Sequence, residues 1–145
     1  MEERRGDLHA VAQGAGPVNC VAGLLVALMA DLAVAGCPIK DHSGQRLSSG
    51  PIELAWRAEP KDIVVGRPFV VRLELCPADA QLKRVDATMP AHRHGMNYRP
   101  SLHALGDGRW RVEGLLWHMS GDWELRFDAL VAGELHTLRQ SVTLQ

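Results

Sequence analysis

Met89, His92, His94 and Met96 fall within one short window, MPAHRHGM, and His118 and Met119 stand together in WHMSG. Apart from Met1 and Met29, these are the methionines of the chain, and the windows hold three of its seven histidines. A thioether is a soft ligand and an imidazole an intermediate one, a pairing that favours Cu(I) over Mg, Ca or Mn. Two His with one or two Met suit Cu(I), with Cu(II) the alternative if the histidines dominate. Zinc is less suited to thioethers. No cysteine stands in these windows, which argues against a blue-copper electron-transfer centre. The expected ligands are His92, His94, Met96 and His118, with Met89 and Met119 as auxiliary or outer groups.

Those side chains need elements to aim them. In an extended strand alternate residues share a face, so His92, His94 and Met96 would converge, with the two histidines about 7 Å apart at the backbone. The plainer reading of the same residues is a surface loop carrying two solvated histidines. Met89 alternates with Val85 and Ala87 and so also reads as a core residue. Met119 shares the face of Leu115 and Trp117. His118 continues the face of Val112 and Leu116, which allows a hydrogen-bonded histidine near the core. His103 and His136 alternate outward and are expected to be exposed.

From Ile52 onward the pattern has period two, with turn signals between the runs. Ile52–Arg57, Phe69–Leu75, Lys83–Met89, Ser101–Leu105, Arg109–Trp117, Asp122–Asp128 and Leu135–Leu144 read as strands. Gly106-Asp107-Gly108 and Ala132-Gly133-Glu134 read as hairpin turns. About seven short strands predict an all-β antiparallel sandwich of immunoglobulin-like or cupredoxin-like shape over residues 51–145.

MPAHRHGMNYRP followed by GDGRWRVEGLLWHMSGDWELRF resembles the YtkA-like family of small exported β-sandwich domains, relatives of the FixH-type proteins. Met89-Pro90, His94-Gly95-Met96, the Gly106/Gly108 hairpin and Met119/Gly121/Trp123 carry the likeness. It implies export and an association with heavy-metal efflux or oxidase assembly. The spacing from Met96 to His118-Met119 is also partly similar to that of periplasmic Cu(I) chaperones with a cupredoxin-like fold.

The N-terminal third adds an address. Val18–Gly36 is almost wholly apolar, broken by Asn19 and Asp31, and closes on Val34-Ala35-Gly36-Cys37. A short apolar core ending in small residues reads as an export signal over residues 1–36. Its last four residues resemble the bacterial lipobox, which implies a lipid-anchored Cys37, a tether over 37–50 and a periplasmic or extracytoplasmic location. Ala33-Val34-Ala35 offers an ordinary cleavage site as the alternative. With Cys20 in the signal and Cys37 acylated, Cys76 is expected to stand alone in the folded part, as a small buried residue.

A net charge of −1 offers no reason to expect nucleic acid or an anionic surface as partner. The chain shows no nucleophile triad with glycine turns, no paired-carboxylate motif and no phosphate loop, so an enzyme is not expected. The expected function is copper buffering or delivery to an acceptor protein. The competing expectation is a metal-free module that docks on a membrane complex through Trp117, Tyr98 and Arg99.

Overall fold

The computed structural model describes residues 39–40 and 44–145. The proposed signal, Cys37 and part of the proposed tether lie outside the described residues. The described residues belong to one compact unit.

That unit is the expected all-β sandwich. One antiparallel sheet has the order β1 (Gln45–Ser49), β2 (Ile52–Glu59), β3 (Pro68–Cys76), β7 (Arg109–Leu116), β6 (Ser101–Gly106). The other has the order β5 (His94–Gly95), β4 (Gln81–Met89), β8 (Gly121–Val131), β9 (Glu134–Leu144). Period-two patterning makes the core. Phe69, Val71, Leu73 and Leu75 of β3 face Val85, Ala87 and Met89 of β4 and Trp123, Leu125 and Phe127 of β8 across a dry interior. Trp56 packs its ring on Phe127 at 5.9 Å, which joins the two sheets. Each of the larger of these side chains contributes about 1.5–3 kcal/mol by leaving water.

Among the described residues nine strands form where about seven were expected. β1 lies inside the span read as a tether. Its sequence, QRLSS, holds a single apolar residue, and what makes it a strand is its antiparallel pairing with β2, from Gln45↔Trp56 to Ser49↔Ile52. β5 is too short to show in any pattern. The two expected hairpin turns are present: Asp107 (φ 53°) between two positive-φ glycines, and Ala132-Gly133 with φ 49° and 86°.

Cys76 departs from expectation. It ends β3, is 7 % exposed and is disulfide-bonded, with its partner outside the described residues. Assigning the other cysteines to a removed signal and a lipid had left it no partner. It sits with Ile39 and Ala55 in a small apolar cluster beside the main core.

A buried carboxylate also lies on the face of β8 that points away from core Phe127 and Ala129. Asp128 in β8 is 4 % exposed and accepts hydrogen bonds from Arg126 Nε at 2.8 Å and, across the β8–β9 pair, from Thr137 Oγ1 at 2.6 Å. Burial pushes its pKa up, but the bonds from Arg126 and Thr137 outweigh burial and hold it below the usual carboxylate value. The folded state therefore binds this proton later than the unfolded chain does. The contribution is complete above the unfolded value of about 3.9 and fades as pH falls through the lower folded one. Asp128→Asn is expected to lower stability by about 1.5–3 kcal/mol at pH 7. The gap should close as the pH approaches 2. Urea midpoints of both proteins across pH 2–7 check this; a constant gap would contradict it.

Candidate functional site: the histidine–methionine end of the sandwich

The two windows do meet at one end of the sandwich. Thr88 pairs with Glu124 in the β4–β8 ladder, so the turn leaving β4 and the segment entering β8 are neighbours. The contact is close: a Cβ built on Gly121 would lie 3.1 Å from Met89 Cε.

Met89 itself is a core residue at 1 % exposure, the position its alternation with Val85 and Ala87 implies. After it the chain does not run on as an extended strand. Pro90–Arg93 form a turn in which the His92 N–H donates to the Met89 carbonyl at 3.1 Å, and Arg93 takes the left-handed conformation at φ 54°. Strand geometry resumes at His94, which pairs with Met89, and the Met96 N–H then donates to Ala87 at 3.1 Å.

The expected face-sharing of His92, His94 and Met96 is therefore replaced by a turn. It still brings the two rings together, with centroids 6.4 Å apart and planes 18° from parallel. Both histidines are exposed, while Met96 is half-buried against the core.

The second window follows a different path. Gly114 has φ 84°, which only glycine adopts freely, and it slips the alternation of β7. Val112 points inward, and after the slip Leu115 and Trp117 do so in place of Leu116 and His118. His118 is consequently exposed, which overturns the near-core reading. Its ring meets Trp123 edge to face at 5.7 Å. Met119 is half-buried on the core, and its carbonyl accepts from Trp123 Nε1 at 3.0 Å. Trp123 stacks on Trp117 at 5.2 Å, 4° from parallel, and Phe69 and Trp117 meet edge to face at 5.2 Å.

Among the described residues no three His, Cys, Asp or Glu side chains gather as a group able to hold an ion. The expected ligand set is thus divided: His92 and His94 form a pair beside Met96, while His118 lies on Trp123 next to Met119. Trp117 is fully buried and cannot belong to a contact patch. His103 is exposed, 3.7 Å from Glu113, whereas His136 is half-buried against Gly50 rather than exposed.

Tyr98 plays a part that no pattern announced. Its hydroxyl donates to the Leu116 carbonyl at 2.6 Å and so ties the segment after β5 to the end of β7. Burial pushes the Tyr98 hydroxyl above its ordinary pKa. A groove beside it is lined by Lys83, Arg84, Asp86, Met96, Asn97 and Arg99. No protein-family model, curated protein or solved structure matches the chain.

Proposed function

We propose that the chain is an exported copper-binding protein that buffers Cu(I) or passes it to an acceptor protein, taking the ion between His92 and His94. The observation that carries this reading is the pair of exposed imidazoles with centroids 6.4 Å apart on one short turn. Metal–nitrogen bonds of about 2.0–2.1 Å reach one ion from both rings after modest rotations. Met96 follows two residues along, and His118 and Met119 stand at the same end, so soft ligands are near for a third position. An exposed turn at the end of a rigid sandwich suits a site whose ligands must exchange during handover. Membership of the YtkA-like family and an extracytoplasmic location belong to the same proposal. Membrane attachment through Cys37 requires that its thiol be available for acylation.

A second reading has one observation in its favour. Tyr98, 41 % exposed, stands with Arg99 on the rim of the groove that Lys83 and Arg84 also line, a surface fit for a protein partner in a metal-free module.

Competition titration of Cu(I) against a chromophoric chelator decides between them. The protein is expected to bind one equivalent, and His92→Ala/His94→Ala to weaken binding by about 100-fold or more. Weak binding unchanged by the double substitution sinks the copper reading and leaves the docking module.

A further inference from the structure

The disulfide at Cys76 asks for a partner, and the sequence offers two, Cys20 and Cys37. The described residues discriminate between them. Ile39 is buried against Cys76 and Ala55. The next residue, Lys40, donates its backbone N–H to both carboxylate oxygens of Glu74, at 3.1 and 3.2 Å, two positions before Cys76 on β3. The chain at 39–40 is therefore pinned beside the end of β3. Cys37 is two residues from Ile39, so their Cα atoms are no more than about 7 Å apart. Disulfide-linked Cα atoms stand about 4.4–6.8 Å apart, a span that Cys37 can meet without moving Ile39.

We propose that Cys37 and Cys76 form a disulfide clasp that fastens the segment before β1 to the end of β3. The clasp changes the reading of the N-terminus. A sulfur held in a disulfide has no thiol left to form the thioether of a lipid anchor, so clasp and lipidation exclude each other on one molecule. The exported protein is then freed by ordinary cleavage ahead of Gly36 and is not lipid-anchored.

Formation balances by thiol–disulfide exchange. One S–S bond forms between Cys37 and Cys76, and the S–S bond of an exchangeable disulfide oxidant breaks, leaving it as a dithiol. The oxidant takes up the two electrons and two protons that the cysteines lose. That chemistry belongs to an oxidising compartment and agrees with export. The inference shares only export with the copper proposal.

The test is the full chain, expressed with its own N-terminal segment in a bacterium and recovered from the extracytoplasmic fraction. Thiols are blocked in denaturant, and intact mass and non-reducing peptide maps are recorded. A linked peptide pair containing Cys37 and Cys76 is expected, in a protein lighter by two hydrogens than its reduced form. Cys37→Ser should make Cys76 alkylatable without reduction, and Cys20→Ser should leave the link unchanged. A diacylglyceryl mass on Cys37, a Cys20–Cys76 peptide, or a Cys76 thiol open to alkylation in the wild type overturns the clasp. If the host retains the chain inside, purified full chain oxidised with glutathione disulfide gives the same map or overturns the proposal. Loss of Cu(I) binding with the clasp intact would sink the copper reading alone.

Discussion

Trp123→Ala is expected to lower the stability of the sandwich by about 3–5 kcal/mol, read as a fall in the urea midpoint with an unchanged slope. Trp123 is buried at the start of β8, stacks on Trp117 and donates its indole N–H to the Met119 carbonyl. Alanine leaves a cavity beside Trp117, removes an aromatic pair and frees the backbone that carries His118 and Met119. Trp123→Phe separates these effects. It keeps a ring against Trp117 but removes the donor, so about 1–3 kcal/mol of the loss should remain as the price of an unmade hydrogen bond and a smaller ring. If both variants denature where the wild type does, the tryptophan stack does not hold this end together.

The stack also bears on the proposed ion. His118 packs against Trp123 in a T-shaped contact, so its position depends on a buried ring rather than on the histidine pair. A folded Trp123→Phe protein that keeps its Cu(I) affinity would show that His92 and His94 are sufficient. Lost affinity in that variant would bring His118 and Met119 back among the ligands.

Much of the sandwich was legible because its buried strands alternate cleanly. Val85, Ala87 and Met89 in β4 and Trp123, Leu125 and Phe127 in β8 are apolar at every second position, and all six are buried. β1 was not legible, because its polar residues become a strand through the hydrogen bonds β2 offers and not through any face of their own. At Gly114 the period itself changes, and one left-handed glycine was enough to turn His118 from the interior to the surface. The turn at Arg93 was hidden for a different reason. Pro90 marks the end of β4, but arginine rarely takes positive φ, so nothing announced the left-handed residue at Arg93 that shapes the turn. The neighbourhood of His92 and His94 was nevertheless readable, since side chains two residues apart stay close in a strand or in this turn. Cys76 was misjudged because both other cysteines had been assigned roles away from the folded part, while its disulfide is a tertiary fact that no local pattern shows.

Gly108→Ala is expected to be as damaging as removing a core tryptophan, although it adds one methyl group. Gly108 has φ 74°, where a Cβ costs about 1–2 kcal/mol. Gly106 and Gly133 have φ 85° and 86° and nothing within 4 Å of an added Cβ, so alanine there should cost that amount and no more. Gly108 differs in what surrounds it. Its carbonyl accepts the Leu75 N–H at 2.8 Å, and an added Cβ would lie 2.4 Å from the Leu75 carbonyl oxygen and 3.1 Å from Ala78 Cα. Those neighbours are backbone atoms, so no side chain can swing aside; either β6–β7 or the end of β3 must move. A total of about 3–5 kcal/mol follows, among the largest single-residue effects. The displaced segment carries Cys76, so a partly folded Gly108→Ala protein should also expose this disulfide to reductant faster than Gly133→Ala does. Denaturation midpoints for the Gly106, Gly108 and Gly133 variants check the ranking. Equal losses at all three would mean that backbone conformation, and not the contact with β3, sets the cost.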